Sequence, residues 1–450
     1  MVRAAATFGL ALACAAAAAQ ERAPEDTGEP PAIGLHAQAT YTWQLKPAFD
    51  APYTGAHSLL PQREHSYSFT TTADLGVRLW RGAQAHLVPE GTQGQPLSAL
   101  QGLGGLTNAE LAHGSSTKFR SYRSRLFIQQ RVDVGGEREK VDAAIGELGG
   151  GAAARRWTFV AGTISLADYF DPNPYAKDPR TQFSNSSFAT HGAFDYAADA
   201  RGYTTAVVAE YRESAWAIRA ARALEPIEAN GADIDRHWGH QHGGQLEVES
   251  DLPVRLAGGP LRGRALLFRN RILAGRFSDA LALAGPGGVP DVALVRRLQD
   301  KTGWGLTLEA PLGEDEGLFL RASRNDGRLE EYTFIEVDAQ VAFGGQFAGT
   351  AWGRPQDRWG AAVSINSISP SHRQFLAAGG LGFFVGDGRL NYGAERVFEA
   401  YYRWVLPELK VGDASLQSSV GAGWQHIANP GYNRDRGPVQ VWTVRWHSEF

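Results

Sequence analysis

The C-terminal segment 437–450, GPVQVWTVRWHSEF, alternates large apolar side chains with polar or charged ones. A period of two places successive side chains on opposite faces of a β-strand, so the segment is predicted to be a strand with one apolar and one polar face. The apolar positions are Trp442, Val444, Trp446 and Phe450, and the polar positions are Thr443, Arg445, His447 and Glu449. The closing strand of a transmembrane barrel, with lipid outside and water inside, needs this arrangement.

The same alternation recurs along most of the chain. The predicted strands span residues 36–44, 66–80, 122–134, 205–211, 245–249, 264–269, 333–343 and 359–366. A mature chain of roughly 430 residues, at roughly 25 to 27 residues per strand and connection, gives about 16 strands, with 14 or 18 as the alternatives, since bacterial barrels have even numbers. The pattern therefore predicts an all-β fold, a transmembrane antiparallel β-barrel.

Two stretches interrupt the alternation. Residues 84–119 are rich in Gly, Leu and Pro and are interpreted as a loop with a short helix. Residues 168–202 are dense in Asp, Asn, Pro and aromatic residues, and their length favours a functional loop that folds inward and narrows a pore. The glycines at 102–105 lack the context of a nucleotide site, and the spacing from Asp171 to Lys177 lacks the Gly and Glu of a calcium loop. We expect no metal and no cofactor.

The N-terminus predicts export from the cytoplasm. Residues 1–19 form a short Ala-rich run after Arg3 and are interpreted as a signal peptide, followed by a charged, Pro-rich lead-in at 20–33 and the barrel domain at 34–450. Cys14, the single cysteine, lies in the signal; its lipidation stays open, although Ala11 stands where lipoprotein signals usually have Leu. The mature chain then has no disulfide and no Cys-ligated zinc. A net charge of −4 gives no reason to expect nucleic acid.

Charged residues at alternate positions are the candidate lining of the pore. In the strand 122–134, Arg123, Arg125 and Arg131 share one predicted face, which is costly unless that face is wet or paired with acids. A solvated face of an ordinary sheet is the alternative for this strand. By alternation, the other strand candidates are Arg78, Asp74, Glu336 and Asp338, and the acids of the predicted inward loop are Asp168, Asp171 and Asp195.

Several segments resemble the carbohydrate-selective outer-membrane porins of the OprB type. The C-terminal ones are 376–404 and 425–437, with the final RWHSEF. Upstream, the resemblance extends over 67–80, 94–110, 124–127 and 168–183. The resemblance implies a 16-stranded barrel that admits sugars by passive diffusion through a constriction lined by arginines and acids. It also implies a role for Glu90, although Val88 stands where the family has Asn before Pro-Glu. The same resemblance implies that the outer-membrane assembly machinery recognises the apolar face of the last strand.

A pore that is selective for sugars needs planar hydrogen-bond donors, acceptors and flat apolar surfaces on its wall. Arginine supplies a rigid fork of donors, carboxylates accept from hydroxyls, and aromatic rings contact sugar faces. Binding must also be weak enough for release. The hypothesis is thus a non-enzymatic porin for mono- or disaccharides, in contact with outer-membrane lipid, as a monomer or a homotrimer. The alternatives are a barrel that exports or imports anionic polysaccharide or oligosaccharide, a barrel hydrolase, which would need a motif such as Gly-x-Ser-x-Gly that is missing here, and a secreted all-β protein.

Two further motifs are interpreted as structural. The segment 386–392, GDGRLNY, is expected to form a tight turn with an Asp387–Arg389 pair, the alternative being a sugar contact near the pore mouth. The segment 429–437 is expected to be a loop before the last strand. His426 and His447 are expected to belong to the barrel wall, as are Arg445 and Glu449 on the last strand.

Overall fold

The computed structural model describes residues 28, 30–112, 116–411 and 414–450. The predicted signal peptide and most of the lead-in lie outside these residues. The strands are β1 (Ile33–Lys46), β2 (Glu64–Trp80), β3 (Ala83–Gln95), β4 (Arg120–Val141), β5 (Gly150–Ile164), β6 (Thr204–Arg212), β7 (Trp216–Leu224), β8 (His242–Leu256), β9 (Gly259–Ala274), β10 (Arg297–Gly313), β11 (Glu316–Asn325), β12 (Ala339–Gly349), β13 (Arg354–Ser367), β14 (Glu395–Val405), β15 (Leu409–Val411), β16 (Ala414–Ala428) and β17 (Val439–Glu449). The α-helices are α1 (Phe277–Ala284) and α2 (Pro370–Ala377).

These strands form one closed antiparallel barrel. Each barrel strand pairs with its sequence neighbours, and β1 pairs with both β2 and β17, which joins the two ends of the sheet. In the closing ladder Tyr41 lies opposite Trp446, and Phe450 exchanges two backbone hydrogen bonds with Ala37. The short β15 pairs with β16 alone, so the remaining 16 strands make the barrel, the number predicted from the chain length.

The connections between strands give the barrel two different ends. Short turns such as 81–82, 257–258 and 314–315 alternate with long connections, of which 165–203 is the longest. In outer-membrane barrels the short turns face the periplasm and the long loops face outside. We call these the turn end and the loop end; the first and last strands begin and finish at the turn end.

Apolar side chains cover the outside of the barrel. On β17, Trp442, Val444 and Trp446 are each about half exposed, whereas Thr443, Arg445 and His447 between them are buried inside. Exposed tryptophans gather near the turn end, where aromatic rings suit a membrane–water boundary. They are Trp80, Trp157, Trp216, Trp352 and Trp404. Among the described residues, no helix is long and apolar enough to cross a membrane.

The connection 165–203, which we call the inner loop, fills much of the barrel interior, as predicted. Phe183 of this loop packs edge-on against Tyr401 of β14, with ring centroids 4.9 Å apart. On another side, Phe194 packs against Phe268 of β9 at 5.3 Å. The loop thus contacts separate parts of the wall and leaves only part of the lumen open.

Charged side chains of the wall hold the inner loop through its backbone. The carboxylate of Glu399 accepts from the amide N of Ser184 at 2.7 Å and from its hydroxyl at 2.9 Å. Arg445 of β17 donates to the carbonyls of Pro179 and Gln182, at 2.5 and 2.9 Å. Buried backbone groups need such partners, and ionised partners make the stronger hydrogen bonds.

Two of the predicted boundaries are wrong. All but the first residue of strand β3 falls in the stretch 84–119 that was expected to be a loop. Its pattern is broken by Pro89, which sits at a bulge, and by Gly91, where a Cβ would lie 2.2 Å from the Phe119 ring. Two short 3-10 helices, Leu97–Leu100 and Ala109–Ala112, follow this strand.

The predicted strand 333–343 begins only at Ala339, the first residue of β12. Residues 333–338 belong to a loop, although their apolar positions alternate. Ile335 and Val337 are buried in a cluster with Phe375 and Leu376 of α2, so they pack against protein and do not face lipid. Later in the segment the alternation is correct, because Val341 and Phe343 are exposed on the outside.

Candidate functional site

A cavity of about 390 Å³ lies between the inner loop and the wall formed by β4 to β7. This volume is near the lower end of the roughly 300–1,000 Å³ typical of small-molecule sites. Eight of its sixteen lining residues are charged. The lining consists of Arg125, Phe127, Gln129, Arg131, Ile145, Gly146, Glu147, Arg156, Thr158, Val160, Asp168, Tyr169, Lys177, Val208, Glu210 and Arg219.

Arg125 and Asp168 form an ion pair that lines this cavity. The Nε and Nη2 atoms of Arg125 donate to the two carboxylate oxygens of Asp168 at 2.7 and 3.0 Å, a bidentate pair. The guanidinium also lies over the ring of Tyr203, 5.0 Å from its centroid. The Asp168 side chain remains 38% exposed, so the pair is in contact with the open space of the lumen.

Arg131 and Glu147 form a second pair nearer the turn end. Glu147 belongs to the connection 142–149, which folds into the barrel mouth, and it accepts from Arg131 Nη1 at 3.0 Å. Gln84 and Gln129 donate to the same carboxylate at 2.9 and 3.2 Å. Burial alone would raise the pKa of Glu147. The positive charge of Arg131, together with the hydrogen bonds from Arg131, Gln84 and Gln129, instead holds this pKa below its ordinary value.

A ladder of alternating charges continues from the cavity along β6 to β10. Arg219 donates to Glu210 at 2.8 Å and to Glu249 at 3.2 Å, and Arg264 donates to Glu249 at 2.7 Å. The members of the ladder are Arg212, Arg219, Arg262, Arg264, Glu210, Glu247, Glu249, Asp251 and Glu309.

The sequence interpretation missed this ladder. The alternation of Glu247 and Glu249 with Leu246 and Val248 was the available signal. Their partner Arg219 lies on β7, a strand that was not predicted.

The predicted Arg123 lies on the other face of β4. In the pairing of β3 with β4, Val88 lies opposite Arg125 and the next residue, Pro89, lies opposite Arg123. Ser124 therefore has no pairing partner on β3 and forms a bulge. One extra residue reverses the alternation beyond it. Arg123 is therefore exposed opposite Pro89, and the prediction that it shares the lumenal face of Arg125 is wrong.

Beyond the bulge, Tyr122 points inward instead of outward. Its hydroxyl donates to Glu90, a buried carboxylate of β3 that also accepts from the Tyr203 hydroxyl at 3.0 Å and from Thr72 at 3.4 Å. Arg180 of the inner loop lies 3.6 Å from the same carboxylate. Glu90 thus ties the inner loop to the wall and does not line the cavity.

Asp74 and Arg78 of β2 are placed near the turn end and do not line the cavity. Asp74 is buried, lies 2.9 Å from His86 Nδ1 and accepts from the amide N of Gly146 at 2.7 Å. Arg78 donates to the carbonyl of Pro30 at 3.0 Å. Both side chains help to fix segments that fold over the barrel mouth.

Two predicted acids of the inner loop are buried anchors. The Oδ2 of Asp171 lies 2.8 Å from Arg321 Nε, and Oδ1 accepts from Thr307 at 3.0 Å. Burial opposes ionisation of Asp171, but the charge of Arg321 outweighs it, and the pKa falls to about 2. Asp195 accepts from Lys301 Nζ at 2.9 Å and from the amide N of Thr333 at 2.8 Å.

Glu336 and Asp338 lie in the loop before β12, away from the lumenal face where alternation placed them. Asp338 contacts His372 Nδ1 of α2 at 3.1 Å, and Glu336 accepts from the amide N of Phe384 at 2.7 Å. Burial disfavours the charged form of His372, but the charge of Asp338 and the hydrogen bonds of both acids raise its pKa to about 9. The two acids organise the loop end and are not part of the cavity.

The two motifs that were interpreted as structural contact each other at the loop end. Asn433 donates to Asp387 at 2.9 Å, and Arg436 Nη1 lies 3.7 Å from the same side chain. Arg389 instead stacks on the Tyr53 ring at 3.8 Å, so the expected Asp387–Arg389 pair does not form.

The described residues contain no group of three or more His, Cys, Asp or Glu arranged to hold a metal ion.

The comparisons with known proteins identify a family and a fold. The model of the family "carbohydrate-selective porin, OprB family" matches residues 61–450. The structure of Pseudomonas putida OprB at high pH superposes with a TM-score of 0.65 at 14% identity, covering 93% of this chain and 94% of that one. Acinetobacter baumannii OccAB1 is matched with a TM-score of 0.48 at 10% identity, over 95% and 99% of the two chains. No curated protein matches the chain.

Proposed function

Because the chain belongs to the OprB family of carbohydrate-selective porins, we propose that it lets small sugars diffuse through the outer membrane along the cavity between the inner loop and β4 to β7. Sugars pass without chemical change in this proposal. The apolar outside of the barrel contacts lipid, and the predicted signal at 1–19 directs export.

The pairing of the lumenal arginines carries the proposal. Arg125 contacts Asp168, Arg131 contacts Glu147 and Arg219 contacts Glu210. Each of these pairs has an N–O distance of 3.0 Å or less. Arg156 donates to Glu139 at 3.1 Å. The cavity therefore offers fixed donors and acceptors to a passing solute with little uncompensated charge on its arginines. Neutral, hydroxyl-rich molecules match such a surface better than ions do.

The rest of the lining suits a sugar ring. The rings of Phe127 and Tyr169 supply flat surfaces for C–H groups, while Gln129 and Thr158 add neutral hydrogen-bonding groups. A single sugar held by a few such groups gains little free energy, which allows it to leave. The small volume favours mono- and disaccharides over longer chains.

A barrel for anionic polysaccharide or oligosaccharide is the second candidate. One observation favours it: among the lining residues, five side chains are basic and three are acidic. The fifth basic group, Lys177, donates to the carbonyl of Ala167, and burial lowers its pKa. The charge available to a polyanion is thus smaller than the count suggests, and neutral sugars are the better match.

Liposome swelling separates the two candidates. Liposomes that contain the purified protein are placed in isosmotic solutions of neutral monosaccharides, neutral disaccharides, or sulfated oligosaccharides of equal size. We expect swelling in the order monosaccharide, disaccharide, sulfated oligosaccharide, with every sugar recovered unchanged. Faster entry of the sulfated compounds, or no entry of any neutral sugar, would contradict the proposal.

A further inference from the structure

Three arginines lie on the outside of the barrel, on β7 and β9 near the loop end. We propose that Arg222, Arg269 and Arg271, here called the outer basic row, bind the phosphate groups of a lipid head group in the outer leaflet. The inference concerns the outside wall of the barrel and is independent of what passes through the lumen.

The strand register brings these side chains together. Arg222 of β7 lies opposite Gly244 of β8, and Gly244 lies opposite Arg269 of β9. In the adjoining row, His242 lies opposite Arg271. Arg222 and Arg269 are exposed, with 69% of the Arg269 side chain accessible, and Arg271 is half-buried.

The row contains an open gap at Gly244. A Cβ at this position would have only one atom within 4 Å, the carbonyl oxygen of Arg269 at 3.8 Å. Two strand spacings separate Arg222 from Arg269, about 10 Å between their Cα atoms. Two long side chains can converge over that distance on one tetrahedral anion, and arginine forks match phosphate oxygens.

The row lies where the apolar surface ends. One step toward the turn end, the next outward row crosses β7 to β10 and consists of Ala220, Leu246, Leu267 and Trp304. Leu246, Leu267 and Trp304 are exposed by 41%, 58% and 39%. Acyl chains covering this apolar row would place their head group at the arginines, the arrangement expected of a lipid site.

The local charge balance is positive. Arg269 donates to Asp300 at 2.9 Å, and no ion pair joins Arg222 or Arg271 to a carboxylate in the described part of the chain. Arg222 Nη2 donates to the carbonyl of Trp238 at 2.9 Å, which holds the guanidinium at the rim. Three cations beside one carboxylate fit an anionic partner.

The site can be tested with a lipid of defined phosphate content. The full-length protein in detergent micelles is titrated with diphosphorylated lipid A, its dephosphorylated form, or inorganic phosphate, and binding is followed by native mass spectrometry. We expect the triple variant R222A/R269A/R271A to bind the diphosphorylated lipid about 100-fold more weakly at low salt. Removing the competing carboxylate by D300N should tighten binding several-fold.

Arg396 supplies the matched control. It is an exposed outward arginine on β14 that pairs with Ile365 and Ala428 and has no basic partner in its row. The variant R396A should bind the lipid as the parent does. Heat-dependent gel mobility shows which variants are folded, and if the triple variant fails to fold, D300N still decides.

Four results would overturn the proposal. Unchanged binding by the folded triple variant, or weaker binding by D300N, would remove the role of the row. Equal binding of the dephosphorylated lipid would exclude phosphate as the recognised group. Displacement of the lipid by equimolar inorganic phosphate would show that the site takes the free anion and no lipid.

Discussion

Removing one partner of the Arg125–Asp168 pair should change the ion selectivity of the lumen in a direction that depends on the partner removed. With Arg125→Ala, the partly exposed carboxylate of Asp168 loses the cation that holds both of its oxygens. At a closest approach of about 4 Å in a water-filled lumen, one charge attracts a monovalent cation by about 1 kcal/mol. That energy corresponds to roughly a fivefold higher local cation concentration, and anions are depleted by a similar factor.

The opposite substitution should give the opposite sign. Asp168→Asn leaves Arg125 uncompensated and should make the channel prefer anions by a similar factor. The double variant restores neutrality, so its selectivity should return close to that of the parent. The measurement is the zero-current potential of single channels in a KCl gradient at low ionic strength, because salt screens the effect.

Arg123→Ala is the control, because Arg123 lies two residues away and faces outside. This variant should leave the zero-current potential unchanged. If Arg125→Ala and Asp168→Asn shift the potential in the same direction, or neither shifts it more than Arg123→Ala does, the pair does not border the ion pathway. The cavity beside it would then not be the conducting path.

Two further predictions concern assembly and pH. Phe450→Asp should impair insertion, since it puts a charge at the end of the lipid-facing row, whereas Glu449→Gln should insert normally; equal insertion, measured by heat-dependent gel mobility, would contradict this. The pKa of His372 is raised to about 9 in the fold, so its contribution to stability is complete below about pH 6.5 and is lost as the pH rises through about 9. Up to about 3 kcal/mol of local opening free energy should disappear across that window in hydrogen exchange of 370–377, and His372→Gln should abolish the dependence.

The alternation along the chain was enough to predict the barrel. Lipid outside and water inside impose a period of two, and long segments such as 66–80 carry it without interruption. The inward loop was also predictable, because 168–202 is too long and too polar for a plain connection. The same alternation put Arg125 and Arg131 on one face of the strand, and both side chains line the cavity.

The alternation could not predict the positions at which the backbone departs from the two-residue periodicity of a strand. One extra residue at Ser124 reverses the two sides of β4, which moved Arg123 out and Tyr122 in. The apolar residues of 333–338 pack against α2. In the sequence, the alternation of apolar positions in such a packed loop looks the same as that of a lipid-facing strand. The ion pairs of Arg219 join separate strands, and such partners are set by the register between strands, which one strand's sequence does not contain.

The contacts of Arg445 link closure of the barrel to the position of the inner loop. Arg445 lies on β17, the strand that closes the ring against β1, yet its guanidinium holds carbonyls of Pro179 and Gln182, more than 260 residues earlier. If β17 seals against β1 before the loop is inside, the loop must enter a closed ring through its mouth. Assembly is therefore expected to proceed by docking of the loop first, and a chain whose loop is delayed should accumulate as an open sheet with an unpaired β1 edge.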